Sequence, residues 1–159
     1  MENNEKVLYE DYKIARDMVQ LREAHVINCS SKLLKNLNQS IDYSLKLELG
    51  RKHVWKEENM VKGFLRATVI IENKEDKTEI AQLFTEIEGD FFIESKSINK
   101  EEYDIRIGMQ LVPQLLPYAR IATSNLALLM GLPKVTLPTM DVLESIRKNR
   151  SAHSDAGRV

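Results

Sequence analysis

One apolar segment in the last third of the chain limits the fold more than any other feature. From about Leu111 to Met130, apolar side chains recur at three- and four-residue steps, and a second row widens the stripe. Apolar residues cover more than half of such a helix, so one sheet face cannot bury them all. The sequence therefore predicts a long helix with protein on two sides, one of them a second subunit. The predicted interface residues are Leu115, Tyr118, Ala122, Leu126 and Leu129.

Two prolines and a glycine indicate where this helix begins and ends. Pro113 and Pro117 lack amide hydrogens and fit best in a first turn, so we expect the regular helix to begin around residues 113–116 or to be kinked there. Gly131 supplies a C-terminal stop. The LPKVTLP segment that follows must be extended because it contains two prolines, and a closing helix is expected over 140–149.

Alternation of apolar and polar residues with a period of two predicts a sheet in the first half of the chain. The alternating segments are SIDYSLKLELG (40–50), MVKGFLRATVII (60–71) and EIAQLFTEIEG (79–89), and HVINCSSKLL (25–34) reads as a further strand. The polar NKEDK turn makes the second and third of the alternating segments a hairpin. One apolar face and one wet face describe an antiparallel sheet that is covered on one side.

These elements predict one α+β domain over residues 1–150. An amphipathic N-terminal helix is expected over 8–24, the four-stranded antiparallel sheet over 25–94, and the helical part over 99–150. The long apolar helix and the closing helix should pack on one face of the sheet. Residues 151–159 are expected to be disordered.

Composition argues against several classes of function. Lys and Arg (23) nearly balance Asp and Glu (24), which gives no electrostatic reason to bind nucleic acid or an anionic membrane. The single cysteine, Cys29, excludes an intrachain disulfide, and no apolar leader or membrane span is visible, so we expect a bacterial cytoplasmic protein. Histidines in metal spacing and phosphate loops are absent, and Glu57–Glu58 reads as a charged turn. We expect a binding protein without a metal or cofactor, and not an enzyme.

The segment that opens the apolar helix is similar to a known family motif. LLPYAR, followed by a helix and then by GLPKVTLPTMDVLESI, resembles SecB, the bacterial protein-export chaperone family. The strand segments also stand in the order of that family, and the similarity covers roughly residues 25–149. The residues that carry it best are Leu116, Pro117, Tyr118, Ala119, Arg120, Pro133 and Pro138.

The resemblance implies an ATP-independent chaperone that binds non-native polypeptides in apolar grooves and assembles as a homotetramer, a dimer of dimers. Its partners would be unfolded clients and the motor SecA. The extra N-terminal helix is similar to SecB-like chaperones of toxin–antitoxin systems, whose partner is an antitoxin. The side chains expected to line the client groove are Trp55, Phe64, Phe84, Phe91, Phe92, Ile93, Met109 and Leu111.

Two acids are candidates for docking a partner protein. Strand alternation places Glu86 and Glu88 on the open face of the sheet, and the resemblance puts Glu86 where the family docks its motor. We expect both to bind SecA or another basic partner. The alternative left open is a small-ligand-binding or catalytic α+β dimer, in which the sheet and the long helix enclose a cavity.

Overall fold

The computed structural model describes residues 2–36, 42–94, 99–132 and 134–137. Two helices and four strands occupy them: α1 Glu2–Met18, β1 Val19–Leu33, β2 Tyr43–Glu57, β3 Met60–Asn73, β4 Glu79–Ile93 and α2 Lys100–Leu129. The predicted closing helix over 140–149 and the predicted disordered tail lie outside the described residues.

The four strands form one antiparallel sheet in the order β1-β4-β3-β2, as predicted for an α+β fold. Hairpins join β2 to β3 and β3 to β4, and β1 and β2 form opposite edges. Odd-numbered residues from 61 to 71 of β3 and from 81 to 93 of β4 face α2 and are buried, whereas most even-numbered residues face away and are partly exposed. The sheet therefore has an inner face under α2 and an outer face.

The two edge strands differ in regularity. Two register shifts interrupt β1, between Leu21 and Glu23 and between Val26 and Asn28. In contrast, β2 pairs with β3 without a shift from Tyr43 to Trp55. Bulges bend a strand and disrupt its ladder, so β2 is the more regular edge.

Facing glycines on the inner face let α2 approach the sheet closely. Gly63 of β3 pairs with Gly89 of β4. A Cβ atom at Gly63 would lie 3.0 Å from Leu111 Cδ1, and one at Gly89 would lie 2.7 Å from Leu115 Cδ2. Side chains of α2 therefore fill the space above these glycines, which is the region where the alternative interpretation placed a ligand cavity.

Helix α2 begins earlier than the prolines suggested. Asn99 caps it by accepting a 2.8 Å hydrogen bond from the Glu102 amide, and Pro113 and Pro117 both lie inside the helix. A helix start around residues 113–116 is therefore wrong. A favourable cap and packing of the helix on the sheet outweigh the two amide hydrogen bonds that the prolines remove.

The predicted end of α2 is confirmed. Gly131 has φ +69°, and the amides of Gly131 and Leu132 donate to the carbonyls of Leu128 and Ala127, the pattern of a Schellman cap. Leu132 joins the main core, as do Val135 and Leu137 in the irregular segment beyond it.

Helix α1 ends at Met18, not at the predicted Ala24, and β1 begins at Val19. Val19 pairs with Ile93, so sheet pairing outweighs the helical spacing from which a helix over 8–24 was predicted. Helix α1 packs against α2 through a small apolar cluster of Leu8, Ala15 and Met109.

Candidate functional site

An apolar strip follows the inner side of the β2 edge. Its members are Leu45, Leu47 and Leu49, which pair with the fully buried Ile71, Val69 and Ala67 of β3. Leu45 is 44% exposed, and the other two leucines are partly buried. We call this row, continued to Trp55, the β2 strip; its apolar part runs from Leu45 to Leu49, and Arg51 and His53 stand between Leu49 and Trp55. At about 3.3 Å per residue it is roughly 33 Å long.

Helix α2 contacts β2 toward the C-terminal end of the strand. The Arg51 guanidinium donates to the Gly108 carbonyl. One carboxylate oxygen, Asp104 Oδ1, lies 2.8 Å from His53 Nε2 and accepts a 2.8 Å hydrogen bond from the Trp55 indole. Asp104 thus joins the first turns of α2 to the end of the β2 strip.

The Asp104 carboxyl group is held in its charged form. Partial burial alone would raise its pKa, but the hydrogen bonds from Trp55 and His53 and the electrostatic effect of the neighbouring His53 and Lys100 outweigh it, so the pKa of Asp104 lies below its ordinary value. Asp104 therefore carries its negative charge, and with it both contacts to β2, at neutral pH.

A cavity of about 360 Å³ lies at the end of the β2 strip, and we call it the Trp55 cavity. Its lining residues are Trp55, Glu57, Glu58, Lys100 and Tyr103. The Trp55 and Tyr103 rings meet edge to face, with centroids 6.0 Å apart and planes at 78°. A chain lying on the strip would end at two aromatic walls.

Half of the predicted client-binding residues lie in the interior of the protomer. Phe91, Ile93 and Leu111 are at most 1% exposed in the core between sheet and α2, and Met109 is buried beside α1. A client cannot reach these side chains in this conformation, so they are not part of the candidate surface. Odd-numbered β4 residues face inward, and this alternation extends beyond Ile87 to Phe91.

The other predicted client residues are divided between two surfaces. Trp55 ends the β2 strip, whereas Phe64, Phe84 and Phe92 lie on the outer face and are partly buried. The Lys52 ammonium lies 4.8 Å from the Phe64 ring centroid, and the Arg22 guanidinium lies 5.0 Å from that of Phe92. The structure does not gather the predicted residues into one groove.

The predicted docking acids lie on the outer face, but each is already paired with a base. Arg66 Nε lies 2.8 Å from Glu86 Oε1, and Lys62 bonds Glu88 and lies 3.5 Å from Asp90. Glu86 is only 8% exposed. Ion pairing weakens the attraction of these acids for a basic partner, although Glu88 and Asp90 share one lysine, and their docking role stays a prediction.

The predicted oligomer residues differ in exposure. Leu115 is buried in the core, Ala122 and Leu126 are intermediate, and Tyr118 and Leu129 are exposed. Ile121 and Leu128 are also highly exposed apolar residues of this part of α2. They were not among the predicted interface residues, although they fall on the same helical stripe as Tyr118. The expected second subunit remains a prediction.

Some residues of the candidate site gave only weak sequence signals. The leucines of the β2 strip were visible as a half-buried strand, but alternation does not say which strand forms an edge. Asp104 and Tyr103 on α2 are about fifty residues along the chain from His53 on β2, and no short motif joins the two segments. Glu57–Glu58 was visible as a charged turn, without any indication that aromatic rings would lie beside it.

Other kinds of site find no support in the described part of the chain. No group of His, Cys, Asp and Glu side chains there is arranged to hold a metal ion. Neither described helix is long and apolar enough to span a membrane.

Comparison with known proteins identifies the fold. No family model matches this chain, and no curated protein does so. The Mycobacterium tuberculosis SecB-like chaperone Rv1957, solved in complex with a ChAD peptide from the HigA1 antitoxin, matches with a TM-score of 0.71 at 15% identity, covering 83% of this chain and 97% of that one. A Streptococcus agalactiae protein of unknown function matches with a TM-score of 0.47 at 16% identity over 76% of this chain and 97% of that one. The fold of this chain is therefore SecB-like, as the LLPYAR segment predicted.

Proposed function

We propose that this protein is a chaperone that holds a non-native polypeptide in extended form along the β2 strip, without ATP. The observation that carries the proposal is the strip itself. The regular edge strand β2 carries a row of incompletely buried leucines, Leu45 to Leu49, and its last residues toward the hairpin lie at an aromatic cavity. The SecB-like fold supports the same reading.

The strip suits a polypeptide of varied sequence. An added strand can form main-chain hydrogen bonds with the β2 edge, and these do not depend on the client's side chains. Every second side chain of that strand would face the inner leucines and bury apolar surface at about 25 cal/mol per Å². Ordering the client offsets much of this gain, so binding is expected to be moderate and weakly selective.

An antitoxin segment is the client that this proposal favours. The M. tuberculosis neighbour carries a peptide from an antitoxin, and the present chain shares its fold over most of its length. Export clients would use the same strip. Motor docking through Glu86 and Glu88 is not carried forward, because Arg66 and Lys62 already pair with both acids.

The test compares two leucines on one cross-sheet row. Leu45 on β2 pairs with Ile71, Leu33 on β1 pairs with Ala81, and Ile71 and Ala81 pair with each other. Leu45 is 44% exposed and Leu33 is 45% exposed. Leu45→Glu should weaken binding of an extended apolar peptide about three- to tenfold, since the client can bury only the exposed 44% of a side chain whose complete burial contributes about 1.5–3 kcal/mol. Leu33→Glu is the matched control and should leave the affinity unchanged.

Two measurements decide the outcome: peptide affinity by fluorescence anisotropy, and suppression of client aggregation without ATP. A wild-type protein that binds no apolar peptide and suppresses no aggregation would refute the chaperone function. Equal affinity in both folded variants would place binding away from β2.

A further inference from the structure

The beginning of β1 has a poor sequence for a strand. Residues 20–24 read QLREA, and all of them belong to the strongest helix formers. Residues 10–24 contain no Gly or Pro that would end helix α1. The helix nevertheless ends at Met18, and β1 follows at Val19 without an intervening loop. Local preference and observed conformation therefore disagree over residues 19–24, which we call the junction segment.

Pairing between the junction segment and β4 is interrupted. Leu21 pairs with Phe91 and Glu23 pairs with Asp90, so Arg22 is an extra residue in the ladder. Such a bulge disrupts the hydrogen bonds between two strands. The ladder to β4 therefore holds the junction segment less firmly than a regular strand pair would.

Gln114 of α2 supplies hydrogen bonds on the free side of the junction segment. Gln114 Oε1 accepts a 2.9 Å hydrogen bond from the Leu21 amide, and Gln114 Nε2 donates a 2.8 Å hydrogen bond to the Val19 carbonyl. Because β1 is an edge strand, these are the backbone groups that a neighbouring strand would bond. One side-chain amide thus takes the place of a peptide group of a missing strand.

Continuation of α1 would need the same two backbone groups. In a helix that extends to Ala24, the Leu21 amide would donate to the Asp17 carbonyl, and the Val19 carbonyl would accept from the Glu23 amide. The Leu21 amide has a single hydrogen and cannot serve Gln114 and Asp17 together. The bonds of Gln114 therefore favour the strand directly against the helix.

We propose that the junction segment is a helix–strand switch and that Gln114 is the residue that holds it in the strand state. In the minor state α1 extends to Ala24, and residues 89–93 of β4 lose their partner strand. The strand state prevails because it also buries Val19, which is 1% exposed, and packs Leu21 against Gly89. This inference goes beyond the proposed function and does not depend on it.

The experiment measures the minor state in the full-length protein by chemical-exchange saturation transfer NMR, in which Cα shifts of the junction segment distinguish helix from coil. Gln114→Met removes both bonds and keeps the length of the side chain. It should raise the helical population about tenfold, since each lost hydrogen bond changes an equilibrium constant by about two- to tenfold. Gln110→Met is the matched control, because Gln110 bonds the Tyr12 carbonyl and Gln114 instead of β1. The control should stay close to the wild type.

A second pair of substitutions tests the switch without touching Gln114. Gln20 and Glu23 are exposed, and threonine at both positions favours a strand over a helix. Gln20→Thr with Glu23→Thr should return the helical population of Gln114→Met toward the wild-type value. A glutamine that contributed only to packing would give no such rescue.

The outcomes are distinct. A helical minor state that Gln114→Met populates and the threonine pair depletes would support the switch. A minor state with coil shifts, an equal rise in Gln110→Met, or no helical state in either the wild type or Gln114→Met would overturn it. If Gln114→Met does not fold, Gln114→Glu replaces it, since glutamate keeps the acceptor for Leu21 and loses only the donor to Val19. An unchanged helical population in that variant would overturn the inference.

Discussion

Glycine at two facing positions of the sheet sets how closely α2 can approach it. Gly63 and Gly89 have no side chain toward the inner face, so Leu111 and Leu115 come to the backbone of the sheet. Both leucines are at most 1% exposed. Leu111, which was expected to line the client groove, and Leu115, which was expected at the subunit interface, lie in the core because these glycines admit them.

Gly89→Ala should destabilise the protein by about 1–3 kcal/mol, because the new methyl group would lie 2.7 Å from Leu115 Cδ2 and 2.8 Å from Leu21 Cδ1. The measurement is urea unfolding followed by circular dichroism. Gly50→Ala is the control, since its nearest neighbour would be Arg66 Cβ at 3.8 Å. The control should be neutral or stabilising by up to about 1 kcal/mol. Equal stability of the two variants would contradict the packing argument.

At the scale of secondary-structure elements, the contacts of Asp104 with His53 and Trp55 join α2 to the end of β2. His53 and Trp55 reach the same carboxylate oxygen from one strand, so a single charge fixes both the helix and an aromatic wall. The pKa of Asp104 lies below its ordinary value. The contribution to stability is therefore complete above the pKa of the unfolded chain, about 3.9, and is lost as the pH falls through the lower folded-state pKa.

Asp104→Asn should be less stable than the wild type at neutral pH, with a difference that narrows as the pH falls from about 5 toward 3. The asparagine keeps an acceptor oxygen but loses the charge, so the pH dependence of the stability difference reports the contribution of the charged carboxylate. Chemical unfolding at several pH values provides the comparison. A difference that stays constant or widens between about pH 5 and pH 3 would exclude this role for the carboxylate.

At the scale of the whole molecule, α2 finds its second protein layer along only part of its length. Helix α1 covers the region around Met109, so the chain itself supplies that layer there. Farther along the helix, Ile121, Leu128 and Leu129 are 63%, 77% and 83% exposed. Exposed apolar side chains grouped in this way are typical of a protein interface, so we expect the predicted second subunit to contact this half of α2.

Ile121→Asp with Leu128→Asp should therefore convert a wild-type oligomer into monomer, because the two charges would be buried without partners at the interface. Multi-angle light scattering after gel filtration gives the mass of each form. Val54→Asp, at an exposed apolar position on the outer face, should keep the wild-type mass. A monomeric wild type would remove the subunit interface altogether.

Much of the fold could be predicted from the sequence because its signals are local. Alternation located β2, β3 and β4 and assigned the faces of β3 and β4 residues, and Gly131 located the end of α2. The beginning of α2 and the boundary between α1 and β1 could not be predicted in this way. Both depend on pairing and packing with distant segments, which outweigh proline and spacing preferences.

Sequence by itself determined which residues are apolar, which alternate and where the chain turns, and these fixed a four-stranded sheet under a long helix. Tertiary structure alone decided that β2 is a regular edge, that Asp104 meets Trp55 and that Glu86 meets Arg66. The reason is physical: alternation places a side chain on a face of its own strand, whereas a site needs side chains from separate elements to meet. That meeting depends on strand order and on where α2 crosses the sheet.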